Sequence, residues 1–517
     1  MKKYIIRRIF TGLLSVVIVT GIVMVLVYSA TDRNLIFAND PVFSKQKSNA
    51  KEVYKMQQWE QYGYVDYVAY GEYLQTVATG TEYEAAVVLG KTEKEDTAAT
   101  KHYVQAFRQL YADQGYEIVR LSGAVRGGKY QEGGEPRLFA YRDIPVAARL
   151  VNYFKNLITV DTPSYVKADI PNRGYTFTLY DPVYGGEKFS PAIMGNGTYH
   201  KYLLYFDSTF PYLHQNFLTF NLGKSYSVNA GVDVTATMTD SQGSFSYREI
   251  TYPTGVTQLS ADDLHSATYV PGSLESGAEM LKTLFTDDYT GITTRKTGMS
   301  KLGYSFTIGI CAVILSYLLA IPLGIAMARK KEKLTDRLGT AYIVFILAVP
   351  SLAYIFLFKA LGGRLGLPTA FNMEKLHWLM YVLPILSLAL PAAAGIMKWM
   401  RRYTIDQLGG EYVQFARSEG LTEQEIFTKH IFPNAIIPIA HGIPAGILGA
   451  LTGAIITERV YVVPGAGNLL TTAINMYDNG VIVGMTLFYG MLSVTAVILG
   501  DVLISALDPR IALGREG

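Results

Sequence analysis

The chain has 517 residues, of which 50% are hydrophobic and 12% aromatic, and its formal net charge is +3. The near balance of charge excludes a general nucleic-acid-binding protein, which carries a clear basic excess, and the aromatic content excludes a disordered chain. A single cysteine, Cys311, excludes a framework of disulfide bonds.

Six apolar segments are each close to the ~20 residues that a helix needs to cross the hydrocarbon core of a membrane. The first segment follows several basic residues, as in a signal peptide, but it is long for one and no small-residue cleavage site follows it. We therefore expect a retained helix and a polytopic α-helical membrane protein with six transmembrane helices. The predicted spans are residues 5–28, 304–328, 340–361, 378–399, 435–456 and 481–507.

Lysine and arginine near the ends of these spans set the expected orientation, because basic loops remain in the cytoplasm. Basic residues are concentrated at the N-terminus, between the second and third spans and after the fourth span, and the chain ends with Arg510 and Arg515. Every second loop is therefore basic. This pattern predicts that both termini are cytoplasmic and that residues 32–300 are extracellular.

The region between residues 32 and 300 is mostly polar and is long enough to form a packed domain. Residues 97–115 and 143–157 have the pattern of amphipathic helices. The stretches GYTFTLYD, KYLLYFD and SFSYREITYP alternate aromatic and polar residues, as strands do. The sequence predicts a mixed α/β extracellular domain inserted between transmembrane helices 1 and 2.

These expectations divide the chain into three parts. Residues 1–31 are the N-terminal cytoplasmic end and the first helix, residues 32–300 the extracellular domain, and residues 301–517 the membrane domain with helices 2–6. Within the membrane domain, prolines such as Pro350 and Pro444 predict bends, because proline removes a backbone hydrogen bond.

A charged stretch, EYVQFARSEGLTEQEIFTKHIFP, lies on the cytoplasmic side in the predicted loop 401–433. Thr422 and Glu425 have the spacing of a capping box, and Gly420 suits the position just after a helix. We expect a helix over 404–418, a turn at Gly420, a second helix over 422–432, and Pro433 at the start of the fifth span. The loop is either a rigid knob in the cytosol or an amphipathic hairpin beneath the headgroups.

Glycines recur on one face of the fifth span, where small residues allow helix backbones to pack closely. The stripe either packs against other helices of this chain or forms a moving interface with a partner subunit. In the sixth span, Asp501 either lines a path or pairs with a basic residue near the inner surface. The stripe consists of Gly442, Gly446, Gly449 and Gly453.

The sequence carries no recognisable catalytic motif. GKT at 90–92 and GKS at 223–225 lack the earlier glycine of a phosphate-binding loop, since Ala85 and Leu218 stand there. No Ser-His-Asp order, His-Glu-x-x-His or Cys-x-x-Cys motif is present either. We expect no catalytic, cofactor or metal site in this chain, which is therefore not an enzyme.

The charged stretch resembles the signature loop of bacterial ABC-importer permeases, in which a triplet precedes a glycine and then a proline. QFA at 414–416 fills the triplet slot, although Gln414 and Phe415 depart from it, and Gly420 and Pro433 fill the other positions. ERVYVVPGAGNLL at 458–470 and LGDVLISALDPRI at 499–511 resemble other segments of the peptide-transporter branch. The resemblance covers residues 1–30 and about 295–517.

The resemblance implies a permease subunit of an Opp/Ami-type oligopeptide importer, with the large extracellular insertion found in Gram-positive bacteria. It implies these partners in a bacterial cell membrane: a second homologous permease, two cytoplasmic ATPases that bind ATP and magnesium, and an extracellular lipid-anchored peptide-binding protein. The loop would dock on the ATPase. The implied coupling residues are Glu411, Ala416, Arg417, Glu419, Gly420, Thr422, Glu423, Glu425 and Pro433.

Three alternatives remain at this stage. A related permease could move dipeptides, nickel or another small solute. An independent channel or secondary transporter would show inverted repeats or a denser set of buried ionisable residues, and the sequence shows neither. A surface receptor or adhesin would need only one membrane anchor, which leaves five spans unexplained.

Overall fold

The computed structural model describes residues 2–46, 48–90, 92–121, 125–126, 129–130, 137–207, 212–373 and 377–507. In chain order, one long apolar helix is followed by a mixed α/β region and then by a helical bundle. The first part contains helices α1 (Lys2–Ala30), α2 (Pro41–Lys45), α3 (Ser48–Gln61), α4 (Tyr70–Val77), α5 (Thr81–Val87), α6 (Ala98–Asp113), α7 (Val146–Lys155), α8 (Val234–Thr239), α9 (Ser273–Ser276) and α10 (Glu279–Leu284).

The strands of the α/β region are short and pair antiparallel. The larger sheets have the orders β1-β5-β2 and β10-β9-β8-β7, and the rest are two-stranded. The strands are β1 (Val65–Ala69), β2 (Glu117–Arg120), β3 (Val125–Arg126), β4 (Lys129–Tyr130), β5 (Leu138–Asp143), β6 (Ile158–Val160), β7 (Gly174–Thr178), β8 (Ala192–Asn196), β9 (Tyr202–Phe206), β10 (Leu213–Gln215), β11 (Leu218–Phe220), β12 (Arg248–Thr251), β13 (Thr257–Ser260), β14 (Asp262–Thr268) and β15 (Gly291–Thr294).

The first sheet is covered on both faces, because successive side chains of a strand point to opposite sides. Phe139 of β5 packs in the cluster that contains Trp59 of α3. Its neighbours Leu138 and Ala140 pack in a second cluster with Phe107 of α6. The predicted helix over 97–115 is α6, and Thr97 caps it by accepting a hydrogen bond from the backbone of Thr100 at 3.1 Å. The mixed α/β character predicted from the sequence is confirmed.

The helices of the bundle begin directly after this region. They are α11 (Lys301–Arg329), α12 (Leu334–Ala348), α13 (Ser351–Arg364), α14 (Val382–Leu408), α15 (Glu411–Ser418), α16 (Glu423–Ile426), α17 (Phe432–His441), α18 (Ile443–Tyr461), α19 (Ala466–Asn475) and α20 (Asn479–Leu507). Among the described residues, five helices are long and apolar enough to cross a membrane, or up to six if the bent pair α12–α13 forms one span.

The predicted third span, 340–361, is not one straight helix. Its chain bends by 112° between α12 and α13. Pro350 sits at the bend with extended backbone angles, φ −57° and ψ 139°. Proline has no N–H to continue the α12 ladder and disfavours helical angles in the residue before it. The bend expected at Pro350 is confirmed, and its angle of 112° separates the span into two helices.

The predicted fifth span, 435–456, is also divided. Gly442 separates α17 from α18, and Pro444 stands in the first turn of α18. Pro444 cannot donate a hydrogen bond to the turn before it, so the ladder is interrupted there. The membrane-length helix is α18 alone, shifted towards the C-terminus relative to the prediction.

A buried carboxylate joins the α/β region to the bundle. Asp478, just before α20, accepts a hydrogen bond from the Ser225 hydroxyl at 2.6 Å and three from backbone N–H groups of Tyr226, Ser227 and Val228, each at 2.9 Å. It also caps α20 by accepting from Val481 N–H at 3.1 Å. The side chain is 0% exposed, so these bonds replace the water that it loses on burial.

Candidate coupling loop

The loop after α14 folds as two short helices joined by a tight turn. Gly420 follows α15 with φ +83°, a left-handed conformation that glycine adopts without steric cost. The N–H of Leu421 returns to the carbonyl of Ala416 at 3.2 Å, which closes the end of α15. The turn predicted at Gly420 is confirmed.

The second helix is capped at its N-terminus as the sequence predicts. The Thr422 hydroxyl accepts from the backbone N–H of Glu425 at 3.3 Å, and the Glu425 carboxylate accepts from the N–H of Thr422 at 3.1 Å. The pKa of Glu425 is lowered by the hydrogen bonds that its carboxylate accepts from the backbone N–H and the hydroxyl of Thr422. The two residues therefore fix the start of α16.

The two helices enclose a small apolar core of their own. Leu408, Leu421 and Phe427 pack around it, so the hairpin is a compact unit and not a floppy connection. Ala416 is 4% exposed within this core. The helical spacing turns its side chain inward toward the second helix, and its assignment as a coupling residue stays a prediction. The buried core consists of Val413, Ala416, Ile426 and Ile431.

Charged and aromatic side chains cover the outside of the hairpin. Arg417 and Glu423 form an ion pair across the turn, with Nε and Oε1 2.7 Å apart. The hydrogen bond from Arg417 lowers the pKa of Glu423 below its ordinary value. The exposed carboxylates of Glu411 and Glu419 lie on α15 and at its end. Phe415 is 65% exposed, a large apolar side chain whose surface position was not predicted.

The boundaries of the hairpin helices differ from the predicted ones. Residues 404–408 continue α14, and Gly409 and Gly410 separate them from α15. The second helix does not stop before the fifth span, because a π-helical turn, Phe427–Ile431, joins α16 to α17. Pro433 lies in the first turn of α17 and lacks the N–H of a regular ladder, which suits a widened turn.

Contacts with neighbouring helices hold the hairpin at the end of the bundle. The guanidinium carbon of Arg329, at the end of α11, lies 4.9 Å from the centre of the Phe427 ring.

Next to the hairpin, Arg401 of α14 forms a bidentate ion pair with Asp336 of α12, at 2.5 Å and 2.8 Å. Asp336 is 4% exposed. The sequence analysis missed this pair, whose signal was an acidic residue at the start of a helix next to a basic loop.

The glycine stripe lies beyond the hairpin, along α17 and α18. Cβ atoms on Gly442 and Gly446 would come within 3.7 Å and 3.8 Å of the Tyr317 hydroxyl of α11. The break at Gly442 interrupts the single helix face that the spacing predicted. At Gly449, an added Cβ would meet no described atom within 4 Å, and the surroundings of Gly453 lie outside what the structure describes.

The acidic-aromatic motif at 458–470 forms a buried polar contact. Glu458, which is 0% exposed, accepts hydrogen bonds from the Ser305 hydroxyl at 2.5 Å and from the N–H of Asn468 at 3.0 Å. Its carboxylate therefore caps the N-terminus of α19. A Cβ on Gly465 would lie 2.3 Å from the carboxylate, so the motif needs a glycine there.

The acidic residue of the last helix pairs with a basic residue of the first helix. Asp501 accepts a hydrogen bond from the Tyr4 hydroxyl at 3.0 Å and lies 3.3 Å from Nε of Arg8. Of the two alternatives for Asp501, the structure favours pairing with a basic residue over lining a translocation path. The Asp-Pro-Arg segment at 508–510 lies outside the described residues.

Comparison with known proteins finds similarity that extends over the whole chain. This chain is 34% identical over 522 residues to the oligopeptide transport system permease protein AmiC of Streptococcus pneumoniae serotype 4, and the alignment covers 100% of both chains. It is 28% identical over 215 residues to the dipeptide transport system permease protein DppB of Bacillus subtilis, covering 41% of this chain and 69% of that protein.

Part of the chain is also similar to a solved structure and to a family model. A solved crystal structure of an amino acid ABC transporter with histidines covers 41% of this chain and 92% of its own, at 17% identity and a TM-score of 0.32. Residues 320–513 match the family model of the binding-protein-dependent transport system inner membrane component. Together with the full-length match to AmiC, this shows that the chain belongs to the permease proteins of oligopeptide-type, binding-protein-dependent ABC transport systems.

Proposed function

We propose that this chain is one of two permease subunits of an ATP-driven importer of oligopeptides. The observation that carries the proposal is the match to AmiC, which includes the α/β region as well as the bundle. The dipeptide permease DppB of Bacillus subtilis and the oligopeptide permease OppB of Mycobacterium bovis each match 41% of the chain, so the substrate assignment follows the match that extends over the whole chain. An oligopeptide is therefore the preferred substrate, and a dipeptide or nickel is the alternative.

ATP hydrolysis is assigned to two separate cytoplasmic subunits, which bind ATP and magnesium. The hairpin 411–431 transmits their motion, because it has its own core and continues through the π-helical turn into α17. A stiff element that is continuous with a membrane helix can transmit a displacement without absorbing it. Glu411, Arg417, Glu419 and Glu423 supply charged contacts around the exposed ring of Phe415.

The proposed topology has six spans in a bacterial cell membrane, with the bent pair α12–α13 counted as one. Both termini are cytoplasmic, and residues 32–300 form an extracellular domain between the first and second spans. The distribution of lysine and arginine supports this orientation. The extracellular domain is the proposed contact for a lipid-anchored peptide-binding protein, and the glycine stripe of α18 is the proposed seam with the second permease.

Peptide uptake tests the proposal in cells that lack the chromosomal copy of this permease. We expect Phe415→Asp to reduce uptake of a labelled oligopeptide at least tenfold and to prevent ATPase subunits from copurifying, because it places a charge at the proposed contact. Phe245→Asp is the matched control, since Phe245 is 51% exposed but lies in the α/β region. Both variants should reach the membrane in equal amounts.

The substrate class is tested in the same cells. Labelled oligopeptide, dipeptide and nickel are supplied separately, and we expect uptake of the oligopeptide alone to depend on this chain. Uptake of nickel or dipeptide in its place would overturn the substrate assignment. Normal oligopeptide uptake by Phe415→Asp, with ATPase subunits still copurifying, would overturn the coupling assignment.

A further inference from the structure

A cavity of about 260 Å³ lies where the α/β region meets the ends of two long apolar helices. Met24 and Tyr28 of α1 and Val483 of α20 form its apolar wall, and Arg149 of α7 lines it from the α/β region. The volume is below the ~300–1,000 Å³ of pockets that bury drug-sized ligands. It suits a headgroup-sized molecule better than a whole peptide.

Arg149 brings a buried positive charge to this cavity. Its side chain is 7% exposed, and its guanidinium carbon lies 3.7 Å from the ring centre of Tyr28 and 3.9 Å from that of Tyr64. These rings stabilise the cation, and Tyr64 accepts a hydrogen bond from Arg149, which leaves other N–H donors of the guanidinium for an anion. Within the part of the chain that the structure describes, Arg149 forms no ion pair with a carboxylate.

The nearby buried carboxylate is already engaged. Asp478 accepts hydrogen bonds from Ser225, Val481 and the backbone of 226–228. A buried positive charge without an anionic partner is costly, so an anion that entered the cavity would gain from meeting Arg149. Asn152, one turn further along α7, and Lys224 line the same cavity and add an amide and a second cation.

The position of the cavity narrows the class of anion. Tyr28 is near the last turn of α1 and Val483 is in the first turns of α20, so in the topology proposed above the cavity lies at a membrane boundary. Ile22, Val25 and Leu26, in the same turns of α1 as Met24, are exposed apolar residues. A molecule with an anionic head and long hydrocarbon chains could place its head on Arg149 and its chains along this face. Tyrosine is also typical of the boundary between hydrocarbon and water.

We propose that this cavity binds the phosphodiester headgroup of an anionic phospholipid. Arginine matches the oxygen atoms of a phosphate with its planar fork of donors, and Lys224 adds a second positive charge. A zwitterionic headgroup would bring its own cation towards these two side chains and is disfavoured. The proposal does not depend on which solute the protein transports.

The test uses the full transporter purified in detergent, with native mass spectrometry of bound lipid. Phosphatidylglycerol, phosphatidylcholine, inorganic phosphate and an oligopeptide are added in separate samples. The variant is Arg149→Gln. The control is Arg142→Gln, because Arg142 also lies over a tyrosine ring, Tyr116 at 4.7 Å, but it is exposed and pairs with Asp66.

We expect phosphatidylglycerol to bind the wild type and the Arg142→Gln control equally, and Arg149→Gln at least tenfold more weakly. If Arg149→Gln fails to fold, Lys224→Gln replaces it, since Lys224 is exposed, and a several-fold loss is expected. Phosphatidylglycerol binding that is unchanged in the folded variant would overturn the proposal. So would displacement of the lipid by inorganic phosphate or by the oligopeptide, which would assign the cavity to a free anion or to a peptide carboxylate.

Discussion

Gly420 shows how one residue sets the direction of the hairpin. Its φ of +83° costs other residues about 1–2 kcal/mol, because a Cβ would crowd the next carbonyl. No described atom lies within 4 Å of a Cβ built there, so the cost of a substitution is conformational and not a clash. The position can therefore be tested without disturbing its neighbours.

We expect Gly420→Ala to destabilise the hairpin by about 1–2 kcal/mol through this backbone strain. Hydrogen exchange of the backbone amides in 411–431 should become faster in the purified protein. The matched control is Gly409→Ala, because Gly409 has φ −86°, which alanine adopts readily. Equal exchange in the two variants would contradict a role for the left-handed turn.

Local signals made some of these residues predictable. Thr422, Glu425 and Gly420 act within a few residues of one another, so their roles follow from spacing alone. The inward position of Ala416 was missed because the resemblance matches it to a motif position without fixing which side of α15 it occupies. Its spacing of three residues from buried Val413 carried that information.

At the scale of elements, the hairpin combines an inner apolar core with an outer ion pair. Both partners of the pair are well exposed, so the apolar core carries the fold, and the pair adds a weaker tie between α15 and α16. The pair depends on the ionised form of Glu423, whose pKa is lowered by Arg417. The tie is therefore sensitive to acid.

We expect exchange in the hairpin to be insensitive to pH at neutrality and to increase at acidic pH, after correction for the intrinsic rate. A lowered pKa in the folded protein gives stability that is present above the unfolded-state value, near 4.5, and is lost as the pH falls through the lowered value. Glu423→Gln should reduce this acid-dependent step. A step of the same size in that variant would assign the effect to another carboxylate, such as Glu425.

The broken helices show the limit of hydropathy as a predictor of elements. Apolar length located most of the long apolar helices, but it carries no information on the direction of the chain. The sharp turn at Pro350 and the interruption near Gly442 depend on which neighbours satisfy the freed backbone groups. The prolines marked the sites, whereas the size of each bend is a property of the bundle.

At the scale of the whole molecule, the contact between Ser225 and Asp478 joins residues that are 253 positions apart. No local pattern predicts such a pair, which explains why the sequence analysis named neither residue as structural. Both ends of the chain also meet, because Tyr4 and Arg8 of α1 reach Asp501 of α20. The first and last long helices are thus fixed to each other and to the α/β region.

We expect Asp478→Asn to reduce the stability of this junction by about 3 kcal/mol, since removing the charge weakens several buried hydrogen bonds at once. Limited proteolysis should then cut the segment 221–233 faster than in the wild type. Asp169→Asn, at an exposed aspartate of the α/β region, is the control. Unchanged cleavage in Asp478→Asn would show that apolar packing alone holds the junction.

The Asp478 junction has a consequence for how motion would be observed. Because the loop 225–228 is clamped onto the first turn of α20, the α/β region cannot swivel independently of that helix. A slight tilt of the helix therefore moves the far edge of the α/β region through a larger arc. A pair of fluorophores on the far edge of the α/β region would then register a tilt of α20 more sensitively than labels placed among the helices themselves.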